Sequence, residues 1–138
     1  MIQYIAENVK MPSIEKQKIN RWIKETAVGY NKKIGDIAFV FCTDERILEV
    51  NNQYLNHDYY TDIITFDYSD ENAISGDLFI SLETVKSNSE EFKVDFEFEL
   101  KRILIHGILH LCGQDDKTPT LRLEMTEKEN LALKNLPV

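Results

Sequence analysis

The strongest constraint on the fold is a short uninterrupted apolar run, Ile37 to Cys42. It falls far short of the ~20 residues that cross a bilayer. Its β-branched and aromatic residues, bounded by Gly35 and by Thr43-Asp44, predict a strand over Ile37 to Thr43 that is covered on both faces. Layers of helix must supply that cover, and the rest of the chain offers them. Pro12 and Ser13 start a helix in which Ile19, Trp22, Ile23 and Ala27 recur at spacings of three and four until Gly29. Thr43 and Asp44 cap a second helix carrying Ile47, Leu48, Val50 and Tyr54. Ile63 to Tyr68 and Leu78 to Ser81 read as further strands flanking a polar loop, Ser69 to Gly76. Ser81 begins a helix to about Asn88, Asp95 caps a long one reaching Leu111, and a last helix spans about Thr120 to Leu136. The expectation is one α/β (α+β) domain over residues 1–138, with a small mixed sheet of three or four strands packed by about five helices.

Composition agrees with a self-sufficient core: 43% of the 138 residues are hydrophobic, and Gly and Pro together number only eight. A collagen-like, low-complexity or disordered chain is excluded. Met1 to Lys10 holds Glu7 and Asn8 where a secretion signal needs a basic patch and an apolar core, so the expected location is cytoplasmic. Two cysteines, Cys42 and Cys112, are too few for a disulfide framework and sit among apolar neighbours as small buried thiols. Sixteen basic against 24 acidic residues give a net charge of −8, unevenly spread: residues 1–35 carry +4 and the remainder −12. An anionic polymer would be repelled by most of this surface and drawn only to Lys16, Lys18, Arg21, Lys24, Lys32 and Lys33, a set that also reads as a solvated helix face.

The chemistry is concentrated in His106-Gly-Ile-Leu-His110-Leu-Cys-Gly113-Gln-Asp115-Asp116. Side chains four apart on a helix stand over one another, with Cβ atoms ~6 Å apart, so His106 and His110 suit one cation. Gly113 can take the left-handed conformation that ends a helix, turning the chain back so that Asp116 reaches the same ion. Three protein ligands leave a position open. Zinc held this way keeps a water whose pKa falls toward ~7, which supplies a hydroxide for hydrolysis. Two satisfied histidines in a buried helix are the plainer alternative, since Ile103, Leu104, Ile105, Ile108 and Leu109 surround them; the added Gly and Asp favour the metal. Cys112, two residues past His110, points to roughly the opposite side of the helix. Asp115 is read as an exposed turn residue, a partner of the ligands, or a candidate for proton transfer; His57, isolated in sequence, is read as a surface histidine rather than a fourth ligand, with substrate contact as the alternative. The spacing HxxxHxxGxxD copies that of metzincin proteases, HExxHxxGxxH, but Gly107 stands where those enzymes place a general-base Glu.

With these residues in view, the chain resembles the YbeY family of bacterial metal-dependent endoribonucleases that mature ribosomal RNA. The family's LNxxYRxKDxPTDVLSFP pattern falls without gaps on Val50, Asn51, Tyr54, Asp58, Thr61, Asp62, Ile63, Ile64, Thr65 and Phe66. Its GD(I/V)xIS pattern falls on Gly76, Asp77, Leu78, Ile80 and Ser81, and its HGxLHLxGYDH pattern on His106 through Asp116. The resemblance implies one zinc per chain, or another divalent metal, bound by His106, His110 and Asp116, the last standing where most of the family has a third histidine. It also implies a single-strand-specific endoribonuclease acting in late-stage ribosome quality control and on the 3′ end of 16S ribosomal RNA. The implied partners are ribosomal RNA and the small subunit or its proteins, with neither membrane nor DNA. The family's arginine, thought to meet RNA phosphate, falls on Leu55, and Lys86, Lys117 and Arg122 are the nearest basic substitutes in sequence. Three other functions fit parts of the pattern. These are a ribosome-assembly factor with a purely structural ion, a peptidase, which Gly107 disfavours, and a non-haem iron oxygenase, whose triad rarely lies along one helix.

Overall fold

The structure is a computed structural model that describes residues 1–55 and 61–136; His57, Asp58 and the side chain of Leu55 lie outside the described residues. Four strands form one sheet: β1 (Ile2–Ala6), β2 (Lys33–Cys42), β3 (Ile63–Asp67) and β4 (Ala73–Ser81), in the order β1-β2-β4-β3. β2 runs parallel to β1 and to β4, whereas β3 pairs antiparallel with β4, with Ile63 opposite Ile80 and Asp67 opposite Gly76. The sheet is mixed, as expected, but two strands extend beyond the apolar runs that announced them. β2 begins at Lys33 and β4 at Ala73, because the ladder pairs Lys33 with Ala73 and Ile34 with Ile74 ahead of an irregularity before Ile37. β1 has no such run; it is an edge strand fixed by its parallel pairing with Ile37 through Phe41.

The helices are α1 (Lys16–Val28), α2 (Asp44–Leu55), α3 (Leu82–Phe92), α4 (Phe96–Leu111) and α5 (Pro119–Lys134). α1 begins three residues later than Pro12-Ser13 suggests, with Glu15 at its N-cap and no side-chain cap. Thr43 does cap α2, its hydroxyl accepting from the Arg46 amide at 3.2 Å. Asp44 instead uses its carboxylate to accept from the Ser81 and Thr84 hydroxyls at 2.5 and 2.6 Å, tying the starts of α2 and α3 together. Asp95 occupies the N-cap of α4 in extended conformation but makes no capping bond. Thr118 caps α5, accepting from the Leu121 amide, and Pro119 takes the first helical position, where its missing N–H costs nothing.

Alternation along the strands divides the core in two, since successive residues point to opposite faces. On one face Ile37, Phe39, Phe41, Ile74, Leu78 and Ile80 pack with Trp22 and Ile23 of α1 and with Leu104, Ile105 and Ile108 of α4, nearly all fully buried. On the other, Cys42 and Ile64 meet Ile47 and Val50 of α2, with Phe66 and Phe79 at the margin. Each fully buried aliphatic or aromatic side chain stabilises such a core by about 1.5–3 kcal/mol. The Trp22 indole donates to the Ala132 carbonyl at 2.8 Å, which anchors α5 to α1. Among the described residues no helix is long and apolar enough to cross a membrane.

Candidate metal centre

α4 is apolar on most of its circumference because it lies between the sheet and the neighbouring helices; Leu100, Ile103, Leu104, Ile105, Ile108, Leu109 and Leu111 are all buried. His106 and His110 occupy the remaining stripe and stay half-buried, at the floor of a cleft of about 420 Å³. Gly107 faces the sheet. A Cβ there would run into the Leu78 methyl and come within 3.0 Å of Ile63 Cδ1, so a side chain at this position requires those two residues to repack. A glutamate at Gly107 would therefore have to displace Leu78 and Ile63, a packing cost set against the peptidase base.

The helix ends as the Gly signal predicts. Gly113 has φ +103°, its amide donates to the His110 carbonyl, and the Gln114 amide donates to Leu109, both at 3.0 Å, the paired bonds of a Schellman cap. The chain then turns back through Asp115, whose Oδ1 accepts from the Asp116 and Lys117 amides at 2.7 and 3.0 Å. That turn sets Asp116 Oδ2 3.5 Å from His106 Nε2 and 3.4 Å from His110 Nε2, and the three ligating atoms all lie within 4.8 Å of one another.

The hydrogen bonds fix which nitrogens face inward. His110 Nδ1 donates to the Gln114 carbonyl at 2.9 Å, and a carbonyl can only accept. His106 Nδ1 donates to Glu129 Oε2 at 2.5 Å. In the neutral imidazoles both Nε2 atoms therefore turn lone pairs toward the Asp116 carboxylate. Three converging electron pairs are satisfied together by a cation. Ligands at ~2.1 Å in a tetrahedron stand about 3.4 Å apart, the separation the two His–Asp pairs show. The residues fit a divalent ion with a solvent-facing position left open.

Glu129, which the sequence analysis did not single out, completes this arrangement from α5. It is buried, and Arg102 of α4 donates to its other oxygen at 2.8 Å while also donating to Asn130 Oδ1 at 2.8 Å. Burial alone would push the His106 pKa down; the hydrogen bond and charge of Glu129, with Asp62 and Asp116 nearby, outweigh it and hold that pKa above the ordinary histidine value. Burial would likewise raise Glu129, but His106 and Arg102 hold its carboxyl below the usual range. Met125, Glu129 and Ala132 share the buried row of α5, so an acid stands where an apolar residue belongs, although exposed Leu123 and Leu131 hide that row in the sequence.

The other candidates are dispersed. Asp115 is half-buried and engaged in its turn. Lys86, Lys117 and Arg122 are exposed, and none lines the cleft. The cleft wall opposite α4 is Thr61, Asp62, Ile63, Thr65 and Asp67, from the edge strand β3 and the residues before it. Cys112 packs toward the main core, and burial pushes its thiol up to about 11. Cys42 is likewise buried and pushed up to about 12. Neither is a thiolate ligand near neutral pH.

Comparison with known proteins decides the family. A sequence model of the family described as Endoribonuclease YbeY matches residues 2–137. The chain belongs to the YbeY family. It is 60% identical over 136 residues to Endoribonuclease YbeY of Parabacteroides distasonis, covering 99% of this chain and 96% of that protein. It is 61% identical over 132 residues to Endoribonuclease YbeY of Bacteroides fragilis, covering 96% and 95%. The solution structure of TM1509 from Thermotoga maritima superposes with a TM-score of 0.69 at 26% identity, covering 99% of this chain and 89% of that one. The segments that carry the YbeY pattern lie together: residues from Thr61 to Thr65 in the cleft wall, Gly76 to Ser81 in the strand beneath α4, and His106 to Asp116 in α4 and its return.

Proposed function

We propose that this chain, acting as one domain over residues 1–138, is a zinc-dependent, single-strand-specific endoribonuclease. Its role is late-stage ribosome quality control and maturation of the 3′ end of 16S ribosomal RNA in the cytoplasm. The observation that carries this reading is the convergence of His106 Nε2, His110 Nε2 and Asp116 Oδ2 on one point of an open cleft, in a chain of the YbeY family. These three residues hold the ion; zinc is favoured by two imidazoles and a carboxylate, the donor set of several hydrolytic zinc sites. A bound ion supplies Lewis acidity and a water acidified toward neutral pH.

The protein's own contribution is positional. Asp62, Asp67 and Asp116 make the cleft acidic, and none of its described lining residues is Lys or Arg. An RNA phosphate is therefore admitted only with a cation present, whose charge inverts the local field. Exposed Lys16, Arg21, Lys24 and Lys33 form the positive region that attracts the RNA or its ribosomal setting. The test is cleavage of a 16S precursor RNA by zinc-loaded protein beside a His110→Ala variant. Cleavage by the first and loss in the second support the reading, whereas identical behaviour of the two removes it.

A second reading rests on Leu55 standing where the family's phosphate-binding arginine falls, together with the acidic cleft. In it the ion is structural, and the protein is an assembly factor for the small subunit. Chelation separates them: a structural ion leaves with a large fall in melting temperature, a catalytic one leaves a folded protein.

A further inference from the structure

We infer that Glu129 is the positioning residue of this centre: braced by Arg102, it locks His106 with Nε2 facing the ion and so couples ion affinity to the docking of α5. The inference rests on the metal-binding reading above and goes beyond it, because Glu129 belongs neither to the His106, His110 and Asp116 group nor to the cleft lining and lies 23 residues from His106.

The two imidazoles are backed differently. His110 Nδ1 meets a neutral backbone carbonyl belonging to the same cap, so its orientation is set by α4 alone. His106 Nδ1 meets a carboxylate on another helix, at 2.5 Å, with the Glu129 side chain only 9% exposed. Glu129 is itself held at 2.8 Å by Arg102, one turn before His106 on α4. Arg102 is fixed in turn by Asn130 and lies 5.8 Å from the Phe98 ring. Every member of this chain of contacts has its partner, and among the described residues no buried side-chain nitrogen or oxygen lacks one. The arginine balances the carboxylate's charge, so the pair adds no net charge near the ion while keeping a negative oxygen on the imidazole N–H. Such a partner fixes the tautomer and raises the basicity of the opposite nitrogen, and its loss typically lowers metal affinity by about 10–100-fold. Coupling is reciprocal: whatever factor the α5 contact adds to ion affinity, the ion returns to α5 docking.

The experiment is zinc binding at pH 7.5 by chelator competition, with circular dichroism to check folding and ¹⁵N NMR of the histidine rings in zinc-loaded protein. Glu129→Gln is expected to bind zinc about 10–100-fold more weakly than wild type. The His106 Nδ1–H resonance moves upfield while that of His110 stays. Should Glu129→Gln fail to fold with Arg102 unpaired, the Arg102→Gln/Glu129→Gln variant keeps the charges balanced and is expected to show the same two changes. Wild-type affinity with an unshifted His106 resonance in a folded variant overturns the role of Glu129 and leaves the metal site standing. Wild type that takes up no zinc overturns both.

Discussion

Replacing Gly113 by alanine tests the step on which the centre depends, the reversal that brings Asp116 back to the histidines. A Cβ added at Gly113 meets nothing within 4 Å, so crowding contributes no cost. The cost is conformational, because φ is +103° and an L side chain there clashes with its own backbone by about 1–2 kcal/mol. Unfolding entropy is about 2.1 cal/mol/K per residue, or about 290 cal/mol/K for this chain, so the melting temperature of the metal-free protein should fall by about 3.5–7 °C. The chain has a second way to respond. If residue 113 relaxes to negative φ, the two capping bonds from Gly113 and Gln114 open and Asp116 moves away. Stability is then better preserved and zinc affinity falls instead. Calorimetry and chelator competition on the same preparation read both branches. Gly113→Asn should lose less in either, since asparagine tolerates positive φ. A Gly113→Ala protein that melts within 1 °C of wild type and binds zinc equally well refutes the reasoning.

Gly76→Ala should be destabilising for the opposite reason. Its Cβ would stand 2.5 Å from the Phe66 carbonyl oxygen and 3.0 Å from Leu111 Cδ2, and the first obstacle is backbone that cannot swing aside. A cost of about 1–3 kcal/mol, or about 3–10 °C in melting temperature, is expected. Shortening Leu111 should not restore it, and full rescue by Leu111→Ala would show the crowding was misassigned. The thiols give a pH test. With Cys112 pushed up to about 11 and Cys42 to about 12, native protein at pH 8 should alkylate at least ~100-fold more slowly than urea-unfolded protein. Raised thiol values favour the native state below the ordinary thiol range and lose that contribution as pH climbs toward 11. Rapid native labelling at pH 8, followed by mass spectrometry, would contradict their burial.

The course of α4 and its end at Gly113 were legible because every cue is local: two histidines one turn apart, an apolar surround and a glycine that ends the helix. Ile37 to Cys42 was legible for the same reason, a run too apolar to lie anywhere but inside. β1 was not, since Ile2-Gln-Tyr-Ile-Ala is short and half polar and becomes a strand only by pairing with β2. The start of β2 at Lys33 is likewise fixed by its partner Ala73 rather than by its own side chains. Glu129 was missed because its role depends on α5 crossing α4, which no spacing within the chain encodes. The exposed positions of Lys86, Lys117 and Arg122, chosen by nearness in sequence, show the same limit from the other side.

The close seating of Gly107 on Leu78 and Ile63 also bears on how this lineage can change. Every glycine codon lies one base substitution from an acidic residue, aspartate or glutamate, so an acid beside the first histidine is genetically near. It is sterically opposed, because any side chain there must first displace the Leu78 and Ile63 methyls on which α4 rests. Drift toward protein substrates thus meets a barrier raised by packing against Leu78 and Ile63 rather than by mutation supply.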